Sequence, residues 1–106
     1  MSPNGLQTGL SFQEIIDGIN GHGKGAEYQT CELLNDLGEI WLVSGDAGGQ
    51  AERIFVDFLR SGIYPRTVYG WLFAIDRKRG GLSAILQEFR SNPENASLVT
   101  GVCVAT

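Results

Sequence analysis

The sequence predicts an α+β fold, a single domain with a mixed four-stranded sheet and about three helices in the order α-β-β-α-β-α-β. Three observations lead there. Apolar residues recur at helical spacing in separate segments. Between and after those segments lie runs rich in β-branched and aromatic residues, at 40–43, 67–75 and 98–105. Glycine, proline and asparagine cluster at the joins. A chain of 106 residues, 42% hydrophobic with two Trp, three Tyr and five Phe, has the size of one domain and enough apolar material for a core.

Residues 1–10, with Pro3, Gly5 and Gly9 and few apolar groups, read as a loose N-terminal arm, and 11–106 as the domain. Ser11 and Glu14 have the spacing of a capping box, which starts a helix carrying Phe12, Ile15, Ile16 and Ile19 on one face. It stops near Asn20, where a glycine-rich stretch begins. Residues 27–34 and 40–43 are expected to pair as a hairpin, because Asn35, Asp36, Leu37 and Gly38 offer good turn chemistry and Tyr28 and Thr30 suit a sheet. The competing possibility is a helix that buries Tyr28, Cys31 and Leu34 and stops at Gly38.

Residues 50–61 form the clearest helix, with Ile54, Phe55, Phe58 and Leu59 as its apolar face, Arg53 and Asp57 paired on the solvent side, and Gly62 at its C-terminal end. Pro65 ends any continuation. Residues 67–75 look apolar on both faces, which suits a strand in the middle of a sheet. Gly80 and Gly81 separate that strand from a helix over 82–90, which Asn92 and Pro93 close, and 98–105 form the last strand. The opening helix, hairpin and helix resemble the start of roadblock or profilin-type domains. The segment from Phe73 to Val102 resembles one strand-helix-strand half of an ACT domain. Each resemblance covers about a third of the chain, and neither brings a functional residue with it.

The formal net charge of −4 disfavours nucleic acid and anionic lipid as partners. That average hides an asymmetry: residues 1–52 carry eight acids against one base, Lys24, whereas from Arg53 onward seven bases face four acids. Such a chain suits docking on a charged partner or on a second copy of itself. No apolar run approaches the roughly eighteen residues of a membrane span. The N-terminal stretch has neither the basic start nor the apolar centre of a leader, and two cysteines make no disulfide framework, so a cytoplasmic setting is expected.

Gly18, Gly23 and Lys24 match part of a phosphate-binding loop, but Gly25 stands where Ser or Thr is needed and the stretch follows a helix, so it reads as a connector. At Gly45, Gly48 and Gly49 the nearby Asp46 and Glu52 would repel an anion, which leaves a tight turn before an acidic helix start. His22 is the only histidine, and with no Cys-x-x-Cys pair and no second histidine no metal site, cofactor or catalytic set is assigned. The candidate binding residues are Arg77, Lys78, Arg79, Gly80 and Gly81, three cations and two glycines where a central strand is expected to hand over to a helix start. Tyr64, Arg66, Tyr69 and Trp71 lie close in sequence and could add charge and stacking surface for a nucleotide or single strand. The function expected from these features is a small non-enzymatic binding module acting through a protein partner or through self-association as a homodimer. The alternative is a small anionic ligand, such as a nucleotide, held at the Gly80–Gly81 loop.

Overall fold

A computed structural model describes residues 7–98 of the chain. Among them there is no strand: the expected sheet is replaced by helices throughout. The order is α1 (Phe12–Ile19), a 3₁₀ turn (Lys24–Glu27), α2 (Thr30–Ser44), a second 3₁₀ turn (Ala47–Gly49), α3 (Gln50–Ser61), α4 (Pro65–Arg79), α5 (Ser83–Ser91) and a further 3₁₀ turn (Pro93–Asn95). The chain divides into two compact units, the first closing at Arg53 and the second opening at Ile54, inside α3.

In the first unit α1 starts as its sequence dictates. The Ser11 hydroxyl accepts from the Glu14 amide at 3.2 Å, and the Glu14 carboxylate accepts from the Ser11 amide at 3.0 Å. Ile15 and Ile16 are buried, and the helix ends at Asn20. The 3₁₀ turn that follows packs its backbone against α1 at the glycines: a Cβ on Gly18 would lie 2.5 Å from the Cα of Gly25. Those two glycines are the surface by which turn and helix touch.

The hairpin expected at 27–43 does not form, because α2 runs through it. Leu33, Leu34, Leu37 and Trp41 are all buried, at the i, i+1, i+4, i+8 spacing of one helical face. At the start of α2 the Glu32 carboxylate accepts from the Gln29 amide at 3.1 Å, a start signal that Gln-x-x-Glu carries in sequence. The turn-like Asn-Asp-x-Gly stretch is absorbed into the helix, with Gly38 buried rather than ending it. Propensity there yields to the burial of four large side chains.

Asp36 has a different task from turning the chain. It is 2% exposed, and its carboxylate accepts from the amides of Gln7 (2.9 Å) and Thr8 (2.8 Å) and from the Thr8 hydroxyl (2.6 Å). The stretch before α1 is thereby fastened to the middle of α2, and Leu10 is buried beside that fastening.

In the second unit α3 buries Phe55 and Leu59 and stops where Gly62 was expected to stop it. Gly62 adopts φ +74°, its amide donates to the Leu59 carbonyl at 3.3 Å, and the Ile63 amide donates to the Phe58 carbonyl at 3.2 Å. These paired bonds form a Schellman motif, which satisfies the last carbonyls of the helix.

The strand expected at 67–75 is the body of α4. Strand alternation would set Val68 and Leu72 opposite Tyr69 and Ile75, whereas helical spacing gathers all four on one side, and all four are buried. Pro65 opens this helix instead of ending a segment, because at the first helical position its missing N–H costs nothing. α5 packs on α4, with the rings of Tyr69 and Phe89 stacked at 5.0 Å and Leu82 and Leu86 buried alongside. Apart from Leu98, the last expected strand falls outside the described residues. With the hairpin and the central strand gone, neither the roadblock or profilin resemblance nor the ACT resemblance survives. Among the described residues no helix is long and apolar enough to cross a membrane.

Candidate interaction surface

The residues singled out by charge lie at a helix end, not a helix start. Arg77, Lys78 and Arg79 make the last turn of α4, exposed to solvent, where cations complement the negative end of the helix dipole. Gly80 (φ +78°) donates its amide to the Asp76 carbonyl at 2.8 Å, and Gly81 (φ +91°) completes the corner into α5. The Leu82 amide, the donor that a phosphate would be expected to meet, is held by the Asp76 carboxylate at 2.9 Å. An anion arriving there meets a carboxylate already in place.

The side chains around this corner are also committed in part. The Arg77 guanidinium lies over the Phe73 ring at 5.9 Å, and Phe73 stacks at 6.2 Å on the fully buried Tyr69. Arg66 sits in the first turn of α4, eleven residues before Arg77, hence about 16 Å away along the axis. Trp71 lies half-buried between them. The structure therefore brings Arg77 to an aromatic ladder and does not bring Arg66 to the cation cluster.

Other sequence candidates take structural roles. Asp46 accepts from the amides of Ala51 and Glu52, both at 2.8 Å, so the glycine turn before α3 is closed by a carboxylate, as its acidity implied. Gly18 and Lys24, read as a phosphate-loop fragment, lie in α1 and in the turn that packs against it. Lys24 pairs with Glu14 across the surface at 3.8 Å. The Glu14 carboxyl is held below its ordinary value, chiefly by the bond from the Ser11 amide, which outweighs the opposing effect of desolvation, with the Lys24 charge adding a smaller lowering effect. His22 is exposed and Cys31 half-buried, and among the described residues no group of His, Cys, Asp or Glu could hold a metal ion. Cys103 falls outside the described residues.

Sequence reasoning offered Tyr64 only as stacking surface for a nucleotide and missed the turn between α3 and α4 on which it stands. Ile63 is 48% exposed and Tyr64 41% exposed, two large apolar side chains side by side in solvent. Tyr64 is the only non-glycine described with a positive φ (φ 51°, ψ 50°) and serves as the N-cap of α4 without any side-chain capping bond. Three preferences are violated at once. A bulky residue avoids the left-handed region, the residue before a proline favours extended backbone, and an N-cap favours Ser, Thr, Asp or Asn. The conformational cost is about 1–2 kcal/mol.

Beside this turn lies a groove of about 420 Å³ whose wall includes Gly62 and Pro65, the residues that flank the exposed pair. Leu59, Ile85, Phe89 and Leu98 line it together with Arg60, Glu88, Asn92 and Glu94, so its surface is mixed, polar at least as much as apolar. The signal available in sequence was Gly-Ile-Tyr-Pro, two large apolar residues confined between a helix stop and a helix start, where neither helix can bury them. Comparison with known protein families, with curated proteins and with solved structures finds no match to this chain.

Proposed function

We propose that the chain is a small non-enzymatic interaction module of the cytoplasm, acting through protein contact with Ile63 and Tyr64 as its contact residues. The observation that carries this is Tyr64, a large aromatic held in an unfavourable backbone conformation with much of its surface in water. Strain of this kind persists where a site makes use of it. Tyrosine is also among the residues that dominate protein interfaces, since its rigid ring gives large contact area at small entropic cost. The adjoining groove, lined by both apolar and polar side chains, adds a recess next to the exposed pair.

The test places a photo-activated benzoylphenylalanine at position 64 or at position 78, in the cation cluster, in cells producing the full chain. Defined protein adducts at 64 that are weak or missing at 78 are expected. Adducts at 78 and none at 64 would move the contact to Arg77–Arg79 and overturn the assignment.

A further inference from the structure

We propose that Asn20–Gly21, at the end of α1, is a self-modification site that converts to aspartate and isoaspartate through a cyclic imide, at a rate set by the helix end that holds it. An asparagine followed by glycine suits this closure, because glycine has no side chain to block the approach of its own nitrogen. Both residues are exposed, Gly21 lies at φ +86°, and a Cβ there would meet nothing within 4 Å, so the ring has room to form. In the step the Gly21 nitrogen bonds to Asn20 Cγ and gives its proton to solvent, while the Cγ–Nδ2 bond breaks and the departing nitrogen takes a proton to leave as ammonia. Water then opens the imide, at Cγ to give aspartate or at the backbone carbonyl to give isoaspartate. Water is the only other reactant.

The fold holds this reaction in check. The Gly21 amide donates to the Gly18 carbonyl at 2.9 Å and the His22 amide to the Asp17 carbonyl at 2.8 Å, the two bonds of a Schellman motif. The attacking nitrogen is engaged until that motif opens. Closure also needs the Asn20 Cβ to eclipse this nitrogen about the Cα–C bond, whereas at ψ 3° the backbone nitrogen of Asn20 eclipses it instead. Helix ends open at low cost, so the reaction proceeds from a minor, frayed state. Its products oppose closing again. Either acid puts a negative charge at the negative end of the α1 dipole, where the last turn has no basic residue to offset it. Isoaspartate also routes the main chain through an extra methylene, so the Gly21 and His22 amides lose their register with Gly18 and Asp17. The turn beyond them carries Gly25 onto Gly18, and conversion loosens that glycine contact.

The test incubates the full chain at neutral pH in buffer and in guanidinium chloride. Tandem mass spectrometry reads the acid at position 20 separately from Asn4–Gly5, the other such pair in the sequence. Acid is expected at position 20 in both solutions, about tenfold or more slower in buffer, where the helix end must first open. Isoaspartate, read by its methylation with protein isoaspartyl methyltransferase, is expected among the products. Asn20→Gln, which needs a larger ring, is expected to remain an amide over the same time. Chain converted in buffer is expected to unfold at lower urea concentration than unconverted chain. No acid at position 20 in guanidinium chloride would remove the site, and acid that never forms in buffer would remove it from the folded protein. Equal rates in the two solutions would overturn the control by the helix end. Aspartate without isoaspartate would overturn the cyclic route, and a converted chain as stable as the original would overturn the loosening.

Discussion

Exchanging Gly25 for alanine is expected to cost the first unit about 3 kcal/mol, close to the limit of what a marginally stable domain tolerates. The backbone of Gly25 is compatible with alanine, since it does not adopt a positive φ, so the cost is one of space. A Cβ there would lie 2.5 Å from the Glu14 carbonyl oxygen and 2.7 Å from the Gly18 Cα. Both atoms are backbone. Neither can rotate aside, and relief requires α1 and the 3₁₀ turn to separate. Alanine at Gly18 meets the same obstacle from the other side, with the C and Cα atoms of Gly25 both at 2.5 Å. Gly70 provides the control. It lies within α4 with nothing within 4 Å of an added Cβ, so Gly70→Ala is expected to stabilise by about 1 kcal/mol through helix propensity. Urea unfolding of the three variants distinguishes steric exclusion from a general intolerance of alanine at glycine positions.

Asp36→Ala is expected to destabilise by about 3 kcal/mol. It removes the acceptor for two amides and a hydroxyl at 2.6–2.9 Å, inside a site where the carboxylate is 2% exposed. The donors that lose their partner belong to Gln7 and Thr8, so the local consequence is release of the stretch leading to Leu10. Hydrogen exchange reads this directly: the Gln7 and Thr8 amides, protected in the wild type, are expected to exchange freely in the variant, with Leu10 losing burial. Thr8→Val retains both amide bonds to Asp36 and loses the hydroxyl, which donates to Asp36 and accepts from the Leu10 amide at 3.2 Å, and a cost of about 2 kcal/mol is expected for it. Equal losses in the two variants would show that the carboxylate does not organise the segment.

Much of the helical content was legible and the sheet was an error of period. The Ser11–Glu14 box, the face of α3 and its Gly62 stop are local features, set by residues within a few positions of one another, and they appear as the sequence implied. α2 and α4 were misread because each is rich in residues that suit a strand and each contains an apparent breaker. In α2 the Asn-Asp-x-Gly stretch resembles a turn until Asp36 is seen to hold a segment 28 and 29 residues away, a non-local bond that no window of sequence displays. In α4 Pro65 was taken as an end when it occupies the one helical position that tolerates it. Once α4 is a helix, Arg77–Arg79 move from the mouth of α5 to the tail of α4, and the charge pattern that suggested an anion site becomes the ordinary complement of a helix C-terminus. The Ile63–Tyr64 turn was hidden for the converse reason. Its two residues look like core until the flanking helices are placed, and only the backbone geometry reveals what Tyr64 costs.

Central to the functional proposal is that Tyr64 is kept for a contact and against the preference of its own backbone. The most direct measurement is the urea unfolding free energy of Tyr64→Gly beside that of Tyr64→Ala. Both remove the same ring, but only glycine adopts φ 51° freely, so the glycine variant is expected to be the more stable of the two by about 1 kcal/mol. A glycine variant no more stable than the alanine variant would show that the backbone at 64 carries no strain, and the claim that Tyr64 is kept against the preference of its backbone would be wrong.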